Sequence, residues 1–244
     1  MEYEWSLYSN EGCREKNEDR IYCFSSEGAT VAIVADGMGG HGDGEVAAKE
    51  VVNTIENCFR LYPEVSEANI RNIMEAANQN VLAMQNPQKR MRSTVVALFL
   101  SEEKAIVAHA GDSRLYCVNG FKLGYKTKDH SVTQMEVDMG NIEEKDMKYS
   151  EDRNKVLRSM GNKDFKISIY ELKPREKKVK GFLLCTDGFW EHFDDKIICK
   201  MLRLAKCDSK KWMDLLVDRI EEEKDEQQDN YSAITIVKRR MKNE

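Results

Sequence analysis

Four aspartates in this sequence share one local grammar, each beside a glycine or asparagine at the edge of an apolar, β-prone run. Asp36 follows VAIVA and precedes Gly37, and Asp112 follows HAG and precedes Ser113. Asp187 follows FLLCT and precedes Gly188, and Asp229 precedes Asn230 and a final β-prone run. Glu18 and Asp19 add carboxylates in a charged turn near the N-terminus. Any one of these has an ordinary explanation, because aspartate is common in turns and at strand ends. Together they suit hard divalent cations, since Mg2+ and Mn2+ take carboxylate, carbonyl and water oxygens. Carboxylates gathered in one pocket also repel strongly unless cations neutralise them. Zinc fits poorly: the histidines at 41, 109, 130 and 192 show no H-E-x-x-H spacing, and no C-x-x-C pair occurs.

Other chemistries can be read from the same residues and fail on spacing. Gly37, Gly39 and Gly42 spell G-x-G-x-x-G after a strand-like run, which is the dinucleotide fingerprint. A Rossmann unit, however, returns to a parallel strand after one helix. Here Ala47, Val51, Ile55, Cys58 and Tyr62 make one helical stripe, and Ile70, Ile73, Ala77, Val81 and Met84 make another with no strand between. None of the seven cysteines is followed by arginine six positions later, so a cysteine-phosphatase loop is absent. No G-x4-G-K-[ST] occurs either, which removes P-loop hydrolysis.

The elements that must position these residues follow from periodicity. Residues 5–9, 21–25 and 31–35 read as strands, and two helices of about 20 residues follow, closed by Pro63 and Pro87. Residues 94–100, 104–110 and 114–118 return to strands, with Asn119-Gly120 as a hairpin turn. Residues 126–161 lose apolar pattern and gain charge, as expected of a surface insertion. Strands at 166–172 and 182–185, helices at 196–204 and 210–222, and a strand at 231–237 complete the chain. Closely spaced strands imply antiparallel sheets packed together with helices outside, an α+β arrangement.

Composition bounds the remaining possibilities. The 244 residues fit one domain, 41% are apolar, and the net charge is −5 without a Lys/Arg block, so nucleic acid is not an expected partner. The opening residues are acidic, and no apolar run approaches the roughly 20 residues that span a bilayer. Seven scattered cysteines argue against a disulfide framework. A monomer in a reducing cytoplasm is expected.

The motifs taken together carry a resemblance. R-x-x-x-E-D at residues 14–19, ADGMGGHGDGEVAA at 35–48, AHAGDSRLY at 108–116, LCTDGFWE at 184–191 and DNYSAI at 229–234 resemble the PP2C-type (PPM) metal-dependent protein serine/threonine phosphatases, bacterial branch. The match is in order and covers about residues 4–238. It implies an αββα sandwich in which two antiparallel sheets, flanked by helix pairs, hold metals between them. It implies that Asp36 bridges two Mn2+ or Mg2+ ions, that the Gly37 carbonyl binds one, and that Asp187 and Asp229 complete the other. Asp112 with Asp187 matches the pair that holds a third, weaker ion. Glu18 and Asp19 would orient metal-bound waters, and Arg14 would grip the phosphate, which its planar fork suits. The surface alternative for Arg14 is an ion pair with Glu15 or Glu18. A hydroxide bridging two metals would attack phosphorus in line, with no covalent intermediate. Substrates would be phosphoproteins, and a bacterial Ser/Thr kinase would be the opposing activity.

The sequence also departs from the family. Met38 stands where animal members carry a histidine proposed as general acid, which leaves water or His41 for that role. Arg92-Ser93-Thr94 replaces a common Gly-Thr-Thr. Residues 126–161 match the family's flap, within a single domain over residues 1–244. The alternative function is a non-catalytic module of the same fold, which should have lost metal carboxylates that this chain retains.

Overall fold

In the computed structural model, residues 3–39, 43–88, 90–172, 179–223 and 227–238 are described. The strands are β1 (Tyr3–Asn10), β2 (Arg20–Ser26), β3 (Ala29–Ala35), β4 (Gly37–Met38), β5 (Arg92–Ser93), β6 (Val95–Leu100), β7 (Ala105–Ala110), β8 (Arg114–Asn119), β9 (Lys122–Lys126), β10 (Ser168–Leu172), β11 (Val179–Cys185) and β12 (Tyr231–Lys238). One sheet runs β1-β12-β11-β8-β9 and the other β10-β7-β6-β3-β2, with every pairing antiparallel. The α+β sandwich expected from the sequence is the fold observed.

The two sheets face each other across an apolar layer. Ala32, Val34, Val96 and Leu98 from one sheet meet Leu115, Leu184, Ile234 and Ile236 from the other. The alternate residues Val31, Ile33 and Ala35 point outward onto helices α1 (Asp43–Leu61) and α2 (Glu67–Met84). Every residue of β3 is therefore buried, which explains why it reads as a continuous apolar run rather than an alternation. On the opposite face, α5 (Asp195–Leu204) and α6 (Ser209–Glu223) cover the other sheet with Ile198, Leu202, Trp212, Leu216 and Ile220. Each such side chain withdrawn from water contributes about 1.5–3 kcal/mol.

Helix ends follow the local chemistry. Ser66 caps α2 by accepting from the Asn69 amide at 3.3 Å. Pro63 and Pro87 lie two and three residues beyond α1 and α2. Tyr62, expected on the buried stripe of α1, lies past its end and is 65% exposed. Met84, expected on the stripe of α2, is also exposed.

Between β9 and β10 the chain forms α3 (Val132–Asp138), capped by Ser131, and a 3-10 helix (Glu144–Tyr149). Its base is closed by backbone bonds from Leu157 to His130 (2.7 Å) and from Val132 to Lys155 (3.0 Å). This segment is more tightly seated than its charge suggested, because Met147 is buried and Lys148 Nζ donates to the Glu191 carbonyl at 3.2 Å. Among the described residues, no helix is long and apolar enough to cross a membrane.

Candidate metal centre

The strand ends deliver the carboxylates to one edge of the sandwich. Asp36 directly follows β3, and its backbone is clamped: its amide donates to Thr94 Oγ1 at 3.1 Å, and its carbonyl accepts from the Thr94 amide (2.8 Å) and Ser93 Oγ (3.0 Å). Thr94 Oγ1 also meets Ser113 Oγ at 2.7 Å, so the turns carrying Asp36 and Asp112 are tied directly. Asp187 opens the short helix α4 (Asp187–Trp190) after β11, and Asp229 precedes β12. β12 lies beside β11, so these two carboxylates, distant in sequence, emerge side by side.

The loop before β2 is held against this edge by Asn230. Its Nδ2 donates to the carbonyls of Glu11 (2.9 Å) and Lys16 (3.0 Å), and its Oδ1 accepts from the Glu18 amide (2.8 Å). Two glycines permit the close approach. Gly12 has φ +61°, and a Cβ there would lie 2.3 Å from the Asp229 carbonyl oxygen. A Cβ on Gly37 would lie 2.8 Å from the Glu18 carbonyl oxygen and 2.2 Å from that of Gly44 in α1.

The result is an open cavity of about 770 Å³ lined by Arg14, Glu18, Asp36, Gly37, Asp112, Asp187 and Asp229, with Met38 and Asn154 at its margin. No histidine among the described residues lines it, and His41 lies outside the described residues. Arg14 forks onto Asp229 rather than onto Glu15 or Glu18, Nε to Oδ1 at 2.9 Å and Nη2 to Oδ2 at 2.8 Å. Asp19 sits behind the cavity wall, 2% exposed, accepting from Thr186 Oγ1 at 3.0 Å.

Electrostatics set the character of the cavity. Burial, then Asp187, Asp19, Asp112 and Asp229, push the Asp36 carboxyl well above the usual range. Burial and then Asp187 raise Asp112 likewise. Burial, reinforced by Asp229, lifts Asp187 to about 6, and burial lifts Asp19 to about 7 against hydrogen bonds from Ser232 and Thr186. Burial followed by Glu45 raises Glu18. Such a cluster retains its charge only with cations among it.

Do these residues fit a divalent ion? Among the described residues, no three carboxylate, imidazole or thiol side chains already converge as a finished cage. Asp229 is held by Arg14, and Asp187 Oδ1 accepts from the Gly188 amide at 2.7 Å. Yet Asp112 Oδ1 and Asp19 Oδ1 are buried without a hydrogen-bond partner, a costly state unless something positive or donating arrives. The donor set is all oxygen, which suits Mg2+ or Mn2+. The cavity fits.

Sequence reasoning missed Asn230, Thr94, Ser113 and Thr186 as organisers of the site. Their motifs are visible, but bonds across 19 to 212 residues of chain leave no local pattern.

Comparison with known proteins gives the family and the fold. The family profile Protein phosphatase 2C matches residues 8–230. The serine/threonine phosphatase stp of Listeria monocytogenes is 28% identical over 184 residues, 72% of this chain and 73% of that protein. A bacterial serine phosphatase crystal structure superposes with a TM-score of 0.87 at 24% identity, covering 99% of this chain and 100% of the other. The catalytic domain of the serine/threonine protein phosphatase PstP, solved in complex with 2 manganese ions, gives 0.78 at 24% identity over 96% and 97% of the two chains. The chain belongs to the protein phosphatase 2C family.

Proposed function

We propose that this chain is a metal-dependent protein phosphatase acting on phosphoserine and phosphothreonine, with residues 126–161 as a flap on a single domain. The observation that carries the reading is the convergence of Asp36, Asp112, Asp187, Asp229 and Arg14 on one cavity. Asp36, the Gly37 carbonyl, Asp187 and Asp229 would hold two Mn2+ or Mg2+ ions, and Asp112 with Asp187 a third. When bound, such ions lower the pKa of coordinated water enough to supply hydroxide near neutral pH and act as Lewis acids on phosphoryl oxygens.

The protein's own groups do the rest. Arg14, at the mouth and more than half exposed, turns its fork from Asp229 to two phosphoryl oxygens of the substrate. Glu18 orients water at the cavity wall. Asp19, joined to Thr186 behind Asp187, fixes the strand end that presents Asp187. The Thr94–Ser113 contact keeps the turns of Asp36 and Asp112 in register. With Met38 at the site, water or another group, of which His41 outside the described residues is one candidate, would protonate the leaving alkoxide.

The seven cysteines are scattered along the chain without a C-x-x-C pair, which fits a reducing compartment such as the cytoplasm, where a Ser/Thr kinase would make the substrates. The retained carboxylates weigh against a non-catalytic module. Hydrolysis of p-nitrophenyl phosphate and a phosphothreonine peptide, each with Mn2+, with Mg2+ and after chelation, tests the proposal. Undiminished turnover in the chelated sample would overturn it.

A further inference from the structure

Behind Asp112 lies a buried assembly that the reaction itself does not use. The Trp190 indole Nε1 donates to the Asp112 carbonyl at 3.0 Å. The face of the same indole is covered by the Arg114 guanidinium, whose carbon lies 3.4 Å from the ring centroid. Arg114 is 4% exposed and forks onto Asp129, Nε to Oδ1 at 2.8 Å and Nη2 to Oδ2 at 2.7 Å. It also reaches Tyr116 Oη at 3.4 Å, Met147 Sδ at 3.6 Å and Glu144 Oε1 at 3.5 Å. The last two belong to the 3-10 helix of residues 144–149.

We propose that Trp190, locked by Arg114, is a positioning residue that fixes the backbone of Asp112 so that its carboxylate is presented to a divalent cation. The physical case rests on what each contact restrains. Asp112 follows Gly111, whose carbonyl accepts from the His130 amide at 2.9 Å and whose amide donates to His130 Nδ1 at 3.3 Å, so the turn is held on its upstream side. One oxygen of the Asp112 carboxylate is buried with no partner, so no protein contact fixes that oxygen. Thr94 holds the next residue, Ser113, and the indole bond to the Asp112 carbonyl restrains Asp112 itself. An indole alone could rotate about its two side-chain torsions. A planar cation stacked on its face, itself held by a two-point bond to Asp129, removes that freedom. Asp129 lies at the entry to α3, so the same arginine ties the base of the 126–161 segment to the cation-facing turn.

The inference rests on the reading of Asp112 as a cation ligand, and its test separates the two. Mn2+ binding to the full chain is measured by calorimetry for the wild type, Asp112→Asn, Trp190→Phe and Arg114→Lys. Trp190→Phe keeps an aromatic ring for Arg114 and loses only the indole and its N–H. Asp112→Asn is expected to abolish the weakest binding step, and Trp190→Phe to raise its Kd at least tenfold with the tighter steps within twofold. Arg114→Lys, which loses the fork and stack but keeps a charge, should raise the same Kd severalfold. A structural role alone would lower Tm and leave the Kd unchanged. If Asp112→Asn removes the weak step while Trp190→Phe leaves every Kd within twofold, the positioning role is overturned and the ligand reading stands. If Asp112→Asn changes nothing, both fall. A second measurement needs no stable variant: in the wild type, the Trp190 indole N–H resonance should move in the weakest Mg2+ titration step. A resonance unmoved throughout would overturn the proposal.

Discussion

Arg14 grips Asp229 through both carboxylate oxygens, at 2.9 and 2.8 Å, so the proposed phosphate-binding cation occupies a proposed metal ligand. The two groups cannot serve both partners at once. The Asp229 contact is the leading cause of the raised Arg14 pKa. The pair is 54% and 42% exposed at its side chains, so solvent weakens it to about 1 kcal/mol at most. Arg14→Ala is therefore expected to tighten Mn2+ binding in the absence of phosphate by up to roughly fivefold. Calorimetry reads this directly, and weaker Mn2+ binding in the variant would contradict it.

The same substitution should act oppositely on substrate. Losing a charge-assisted contact costs about 1.5–3 kcal/mol, so KM for p-nitrophenyl phosphate should rise roughly 10- to 150-fold. The effect falls mainly on KM because the fork contacts phosphate in ground and transition states alike. Unchanged KM with abolished kcat would show that Arg14 acts only on the transition state.

The carboxylates should trade stability for activity. Asp36 is destabilised by burial and by four neighbouring aspartates. Asp36→Asn removes the ionisable group, and with it the cost of holding it either charged beside its neighbours or protonated, so the metal-free protein should gain roughly 1–2 kcal/mol, about 2–8 °C in Tm for a chain of this size. The increment in Tm on adding Mn2+ should shrink, and kcat should fall by several orders of magnitude. Thermal scans with and without Mn2+ decide it: a metal-free Tm below wild type would refute the repulsion argument.

A pH dependence arises away from the cavity. The rings of His109 and His130 stack with centroids 4.5 Å apart at 8°. The Gly111 amide donates to His130 Nδ1 at 3.3 Å, while Ser168 Oγ (2.9 Å) and Arg158 Nη1 (3.2 Å) face Nε2. A second proton on His130 would meet a donor already in place. Burial, then His109 and Arg158, lower its pKa to about 3. The folded state thus binds fewer protons than the unfolded chain, whose histidine titrates near 6.5. This contribution is complete above about pH 6.5 and is lost as pH falls toward 3, with a limiting slope of about 1.4 kcal/mol per pH unit. The raised aspartates act with the opposite sign, so the comparison is wild type against His130→Asn, whose carbonyl can still accept from Gly111. From pH 7 to 5 the wild type should lose more Tm than the variant; equal losses would remove His130 as the cause.

Sequence and structure agree where a signal is local. The strand before Asp36, the Asn119-Gly120 hairpin and the helix-stopping prolines each announce themselves within a few residues. The carboxylates were legible because each repeats the same strand-end pattern. Non-local bonds were hidden. Nothing near Arg14 indicates a partner 215 residues away, and nothing near Arg114 distinguishes a buried fork onto Asp129 from a surface charge. Asp19 looked equivalent to Glu18, yet β2 begins at the next residue and turns Asp19 inward to Thr186. Charge density in residues 126–161 suggested a loose loop, because the buried Met147 and Asp129 are isolated apolar and paired polar positions without periodicity.

That segment is expected to bear on substrate choice. The backbone bonds from Leu157 to His130 and from Val132 to Lys155 close its base without help from residues 137–150, and Asp129 keeps its fork on Arg114 independently of them. Replacing residues 137–150 with a short Gly/Ser connector removes Glu144, Met147, Lys148 and Tyr149 but none of the proposed metal ligands. Hydrolysis of p-nitrophenyl phosphate should therefore stay within about tenfold, a barrier change of roughly 1.4 kcal/mol. Phosphopeptides should be re-ranked, because Lys148 and Tyr149 line a second cavity of about 400 Å³ that shares Asn154, Asp187 and Asp229 with the first. A peptide whose phosphate reaches Asp187 and Asp229 extends past those side chains, whereas p-nitrophenyl phosphate does not. An unchanged peptide ranking in a folded variant would make the segment a passive cover. Loss of p-nitrophenyl phosphate hydrolysis with Mn2+ affinity intact would instead mean that Met147 and Glu144, through Arg114, shape the catalytic cavity.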